Sequence, residues 1–125
     1  MRLLLDTHAF LWWVEDSPRL PKRFRAAIAE PTNDVFVSAV TVWEIAIKRR
    51  SGRIVFSGRI AEEIRRQGFQ PLSIALGHAE AVEDLPVFHR DPFDRMLVAQ
   101  AMAEQMILLT VDAPILKYAP NVLPN

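Results

Sequence analysis

Three short apolar runs, Leu3-Leu4-Leu5, Val35-Phe36-Val37 and Ile107-Leu108-Leu109, are set apart along the chain by stretches of helical character. Runs this short and this uniformly apolar read as strands buried on both faces, which belong to parallel sheets covered by helices. The alternation therefore predicts an α/β fold around a mostly parallel sheet. Ligands bind such sheets outside the carboxyl ends of the strands, and polar residues stand there. Leu5 runs into Asp6, Val37 into Ser38, and the last run, continued by Thr110 and Val111, into Asp112.

The finer pattern predicts a strand over 2–6 and a helix over 7–14, then a helix over 20–29 opened by Ser17-Pro18 and closed before Pro31. A β-branched and aromatic strand covers 34–38 and a helix 39–50, ending near Gly52. The segment 58–67 is amphipathic, with Ile60 and Ile64 at helical spacing and Gly68 as its stop. A strand over 69–74, helices over 77–84 and 92–105, a strand over 106–111 and an extended piece near Val122 complete the reading.

At 125 residues the chain has the length of one domain, 1–125, large enough to bury a core. Its formal net charge is zero, so a polyanion must be met by a local basic patch. The absence of cysteine excludes disulfides, thiolate zinc sites and cysteine nucleophiles, and fits a reducing compartment. The opening Met1-Arg2-Leu3-Leu4-Leu5 resembles the start of a signal peptide, but Asp6 and His8 interrupt it too early. No apolar run approaches a membrane span. A cytoplasmic protein without a membrane partner is expected.

Taken singly, most of the acids have an ordinary role. Asp6 and Asp112 are good helix N-caps, and Asp91 is a better one, because Pro92 then falls at the favoured first helical position. Asp94, three residues on, suits the helix dipole. Glu44 resists that explanation. Only Thr41 and Glu44 are polar across 39–47, and a helix apolar nearly all round is expected to be buried. An exposed pair with Lys48 at i+4 would be worth only about 0.2–0.5 kcal/mol and would not need that setting.

Together the acids say more. Like charges about 4 Å apart repel by roughly 4 kcal/mol at an effective dielectric of 20. Converging carboxylates must therefore be partly protonated or share a divalent cation. An all-oxygen site favours magnesium or manganese. His8, His78 and His89 lack the i, i+4 spacing of a zinc helix. Trp12, Trp13 and Trp43 read as core or interface residues. Lys48, Arg49, Arg50 and Arg53 read first as a solvated helix end favoured by the dipole, and Arg49, Arg50 and Arg53 also as candidates to hold phosphates, together with Arg95, expected nearest the site.

Four segments carry a family resemblance: Leu4-Leu5-Asp6-Thr7-His8-Ala9, Ser38 through Glu44-Ile45, Arg90-Asp91-Pro92-Phe93-Asp94-Arg95-Met96-Leu97, and Leu109-Thr110-Val111-Asp112. In order and spacing they resemble the PIN domain, most closely the VapC-type toxins of bacterial toxin–antitoxin pairs. The resemblance implies a three-layer α/β/α domain and a magnesium- or manganese-dependent endoribonuclease that leaves 5′-phosphate and 3′-hydroxyl ends. It also implies an RNA substrate, a cognate antitoxin protein and a homodimer. Carried over, the catalytic and metal-binding set is Asp6, Glu44, Asp94 and Asp112, supported by Ser38 and Thr110. Asp91 competes with Asp94 for the third position, and the proline-set cap favours Asp94.

Three other readings compete. A phosphotransfer protein would use the aspartate after the first strand, but His8 stands where dehalogenase-type phosphatases need a second acid. A receiver domain wants a lysine where Asp112 lies. A non-catalytic binding module leaves the alignment of four acids unexplained. A housekeeping RNA-processing nuclease shares the same site, and the neighbouring reading frame would separate it from a toxin.

Overall fold

The computed structural model describes residues 1–118. Strand β1 (Arg2–Leu5) pairs in parallel with β2 (Asp34–Ser38), placing Leu3 beside Val35 and Leu5 beside Val37. On its other side β1 pairs in parallel with β4 (Ile107–Leu109), with Leu4 beside Leu108. The short β3 (Gln70–Leu72) pairs in parallel with β2, completing the order β3-β2-β1-β4. Pro71 is tolerated in β3 because this strand is the sheet edge, where a missing N–H breaks no ladder.

Side-chain alternation divides the apolar runs between two cores. Leu3, Leu5, Val35, Val37 and Leu109 join one cluster, with Phe10 of α1 (Thr7–Val14), Phe24 and Ile28 of α2 (Lys22–Ala29), Ile45 of α3 (Ala39–Arg50), and Ile60 and Ile64 of α4 (Ile60–Arg66). Leu4 and Leu108 face the other way, onto Val40, Leu97, Val98 and Ala101, the last three from α6 (Pro92–Glu104). Apolar side chains on both sheet faces and helices over each make the three layers. Leu3, Leu4 and Leu5 are all fully buried, each contributing about 1.5–3 kcal/mol relative to exposure.

Most expected elements occur, with shifted ends. The second helix begins at Lys22, two residues late, because Pro21 occupies the N-cap. The 58–67 helix is shortened to α4, and the 69–74 strand to three residues. The 77–84 helix divides into α5 (Leu76–Ala81) and a 3-10 turn over Val82–Asp84. A short α7 (Ala113–Leu116) follows β4, capped by Asp112. The extended piece expected near Val122 lies outside the described residues.

Helix α3 corrects an expectation. Val40, Thr41, Glu44 and Ile45 are buried, but Trp43 is 52% exposed and Ile47 is 39% exposed. It is a half-covered helix whose outer face keeps an apolar surface. A groove of about 430 Å³ between α3, α4 and the β3 edge is lined by Val42, Trp43, Ala46, Ile64, Phe69 and Leu72.

A buried polar chain fixes how the layers meet. Ser38 donates to Gln100 Oε1 at 2.6 Å, and Gln100 donates to the Ser73 carbonyl at 3.3 Å. His78 accepts from the Ala75 N–H at 2.9 Å and pairs with Glu104 at 2.8 Å. Ser38 is wholly buried and also caps α3 by accepting from the Val40 N–H at 3.0 Å. These bonds tie the end of β2 to α5 and α6.

Candidate metal centre

From β1 the chain moves outward through β2 to β3, and β4 returns on the opposite side of β1. The strand order therefore reverses between β1 and β4, which is where a parallel sheet opens a crevice at its carboxyl edge. Asp6 directly follows β1, and Thr110 directly follows β4. Thr110 joins the two sides. Its hydroxyl hydrogen-bonds Asp6 and accepts the Asp112 N–H at 3.1 Å.

The capping explanation holds for Asp6, Asp91 and Asp112. Asp6 accepts from the Ala9 N–H at 2.8 Å, Asp91 from the Asp94 N–H at 3.0 Å, and Asp112 from the Ile115 N–H at 3.2 Å. Capping does not exhaust a carboxylate, which offers about four lone-pair sites on two oxygens. A cap also fixes the carboxylate's direction, so Asp6 and Asp112 are held at the crevice by the turns that follow them.

Glu44 is buried on α3, and accepts from the Thr7 hydroxyl at 2.6 Å and from the Lys48 ammonium. The Lys48 pair weighed from sequence exists, with its carboxylate buried and its ammonium partly exposed. The bond to Thr7 brings Glu44 to the start of α1, beside Asp6. Asp94, from the first turn of α6, lies on the same side: its carboxyl is raised to about 7, first by burial, then by Asp91, Glu44 and Asp112, with His89 opposing. Burial also raises Asp6, and Asp112 adds to it; Thr110, Ala9 and His8 act in the opposite direction. Each acid thus feels another across the crevice.

The tightest group includes a residue that the sequence did not single out as a ligand. His89 Nε2 lies 2.8 Å from Asp94 Oδ2 and 3.9 Å from Asp112 Oδ1. Donor atoms of His89, Asp94 and Asp112 all fall within 4.8 Å of one another. Asp6 and Glu44 lie outside that inner group. His89 sits in the loop before α6, where no helical or strand period could mark it. Its proximity to Arg90-Asp91-Pro92-Phe93-Asp94 was the sole sequence signal.

Arg95 is engaged elsewhere. Its guanidinium donates to the carbonyls of Val82, Leu85, Pro86 and His89 and to the Tyr118 hydroxyl, at 2.9–3.3 Å. It fastens the loop carrying His89. At the end of α3, Arg49 donates to the Gly58 carbonyl at 2.8 Å and Arg53 to Ser51 at 2.9 Å, both at the surface. Arg50 is exposed.

The PIN domain model matches residues 3–119. The chain belongs to the PIN domain family. Ribonuclease VapC22 of Mycobacterium tuberculosis is 32% identical over 117 residues, which is 88% of this chain and 86% of that protein. Among solved structures, VapBC2 from Rickettsia felis bound to a promoter DNA fragment superposes with a TM-score of 0.67 at 12% identity, covering 100% of this chain and 98% of that one. VapBC-1 from nontypeable Haemophilus influenzae gives 0.62 at 17% identity, covering 98% and 95%. At those identities the structural likeness shows the PIN fold alone.

An acid crevice of this kind fits a divalent cation. Asp94 held at about 7 and Asp6 buried against Asp112 describe carboxylates that are expensive to ionise together. A cation among them removes that cost. Carboxylate oxygens are the donors that magnesium and manganese accept.

Proposed function

We propose that this PIN domain is a divalent-metal-dependent endoribonuclease and the toxin of a toxin–antitoxin pair. The observation that carries the reading is the meeting of His89, Asp94 and Asp112 donor atoms within 4.8 Å of one another, with Glu44 and Asp91 near enough to raise the Asp94 carboxyl. The 32% identity to a protein named as a ribonuclease supports RNA as the substrate.

In this reading Asp6, Asp94 and Asp112 hold the ion, which when bound lowers the pKa of a water and neutralises charge on the phosphate. Glu44, fixed by Thr7 and Lys48, orients the attacking water and takes its proton. The water oxygen bonds to phosphorus, the bond from phosphorus to the 3′-oxygen breaks, and that oxygen takes a proton from solvent while Glu44 returns the one it received. A 5′-phosphate and a 3′-hydroxyl result. With zero net charge, the chain grips RNA through a local patch, for which Arg49, Arg50 and Arg53 at the end of α3 remain the candidates. Arg95 acts by holding the His89 loop.

The antitoxin would lay an apolar segment in the groove beside Trp43 and Ile64. An arginine on the same partner suits the acid crevice, since a guanidinium pairs bidentately with carboxylates. The likeness in fold to a solved toxin–antitoxin complex from Klebsiella pneumoniae supports such a partner.

The test is cleavage of a labelled RNA by the purified chain in magnesium or manganese, with product ends identified. Cleavage should stop in chelator and fall at least about a hundredfold in Asp94→Asn, beyond the loss usual for a mere supporting partner of a metal ligand. Native-rate cleavage by that variant would refute the mechanism.

A further inference from the structure

The inner group of the crevice is a mixed set, and the geometry points to His89 as a nitrogen ligand of the ion held by Asp94 and Asp112. This inference rests on the metal-nuclease reading above and adds a preference to it. The site favours a transition ion that accepts imidazole, such as manganese, over magnesium.

Two ligands bound to one ion at about 2.0–2.2 Å lie roughly 3 Å apart when adjacent and about 4.2 Å apart when opposite. The separation of 2.8 Å to Asp94 is close to the adjacent spacing, and that of 3.9 Å to Asp112 lies between the adjacent and opposite spacings. With the whole group inside 4.8 Å, a shift of a few tenths of an ångström brings all three donors onto one ion.

A second observation is independent of those distances. Among the described residues, His89 Nε2 is the buried side-chain polar atom left without a hydrogen bond. Asp94 Oδ2 is near enough at 2.8 Å, yet it gives charge proximity without a directed bond. A buried ring nitrogen in that position is satisfied when its lone pair takes an ion. Nδ1 accepts from the Asp91 N–H at a long 3.4 Å, so the tautomer that offers the Nε2 lone pair to an ion gives up only this one weak bond.

The loop is also built to hold the ring. The His89 N–H donates to the Tyr118 hydroxyl at 3.0 Å, and the His89 carbonyl accepts from Arg95 at 3.3 Å. Arg95 in turn is held by the carbonyls of Val82, Leu85 and Pro86. Support of this kind from behind a ligand orients it before the ion arrives. Magnesium and manganese both favour carboxylate oxygen, but manganese, as the first member of the transition series, accepts an imidazole more readily than magnesium does. One nitrogen ligand therefore changes the ranking without excluding magnesium.

The test uses the full chain loaded with manganese alone and magnesium alone, for the native protein, His89→Ala and His89→Gln. Pulsed electron paramagnetic resonance of the manganese-loaded native chain should show nitrogen coupling from a bound imidazole, absent in both variants. Manganese affinity should fall about tenfold or more in both, while magnesium affinity changes by less than about threefold. Melting of the metal-free variants confirms that they fold. Manganese bound without nitrogen coupling, equal losses for the two ions, or rescue by glutamine would overturn the ligand role and leave the nuclease reading standing. Failure of the native chain to bind either ion at millimolar concentration would overturn both.

Discussion

Asp94 couples protonation to stability in the direction opposite to an ion-paired aspartate. Its folded pKa of about 7 lies above the ordinary value of 3.8, so between those values the folded chain holds a proton that the unfolded chain has released. Its contribution to stability is present below pH 4 and is lost as pH rises toward 7. Asp94→Asn, keeping the shape without the charge, should therefore raise metal-free stability at neutral pH; solvent screening of the partly exposed carboxyl reduces the full linkage value to about 1–2 kcal/mol, read by urea unfolding. An unchanged or lowered value would show that the carboxyl is not strained there. Metal binding must displace the same proton, so affinity for manganese should fall by up to about tenfold per pH unit below 7, measured by calorimetry. At this scale the sequence showed why Asp91 is the cap and Asp94 the candidate ligand, because Pro92 fixes the helix start. It could not show His89, whose approach to Asp112 depends on how two loops fold, nor that Arg95 would turn inward to carbonyls.

Among the elements, β1 and α3 carry opposite lessons. The uniform apolarity of Leu3-Leu4-Leu5 implied burial on both faces, and adjacent residues do enter different cores. Leu4→Ala should accordingly cost about 2–5 kcal/mol in urea unfolding. The similar apolarity of α3 was misleading, because its outer residues line an open groove. Trp43→Ser should change stability by less than about 1 kcal/mol, since exposed positions contribute little. In the proposed pair it should weaken antitoxin binding by at least about tenfold, as aromatic anchors dominate interfaces. Undiminished binding in a titration would remove the groove from that role. Element ends were the least legible feature: Pro21, an αL conformation at Gln105 and the break of α5 at Val82 reflect local backbone choices that periodicity does not encode.

Across the described residues, parallel pairing brings the carboxyl ends of the four strands to one edge, and the order reversal beside β1 opens that edge between Asp6 and Asp112. The alternation of strand and helix made this edge predictable; the strand order was not written in any local pattern. The homodimer expected from the family resemblance would sediment at twice the 14.2 kDa chain mass, and sedimentation at a single chain mass would exclude it. The central claim is that the acids of this crevice share one cation. Thermal melting of the native chain and of Asp6→Asn, each with and without manganese at about a hundredfold over its dissociation constant, tests it directly. Binding at that excess adds about 2.7 kcal/mol to the folded state, which is roughly 10 °C for a chain of this length. The native chain should show that rise and Asp6→Asn little or none, whereas equal rises in both, or none in the native chain, would contradict a shared metal centre.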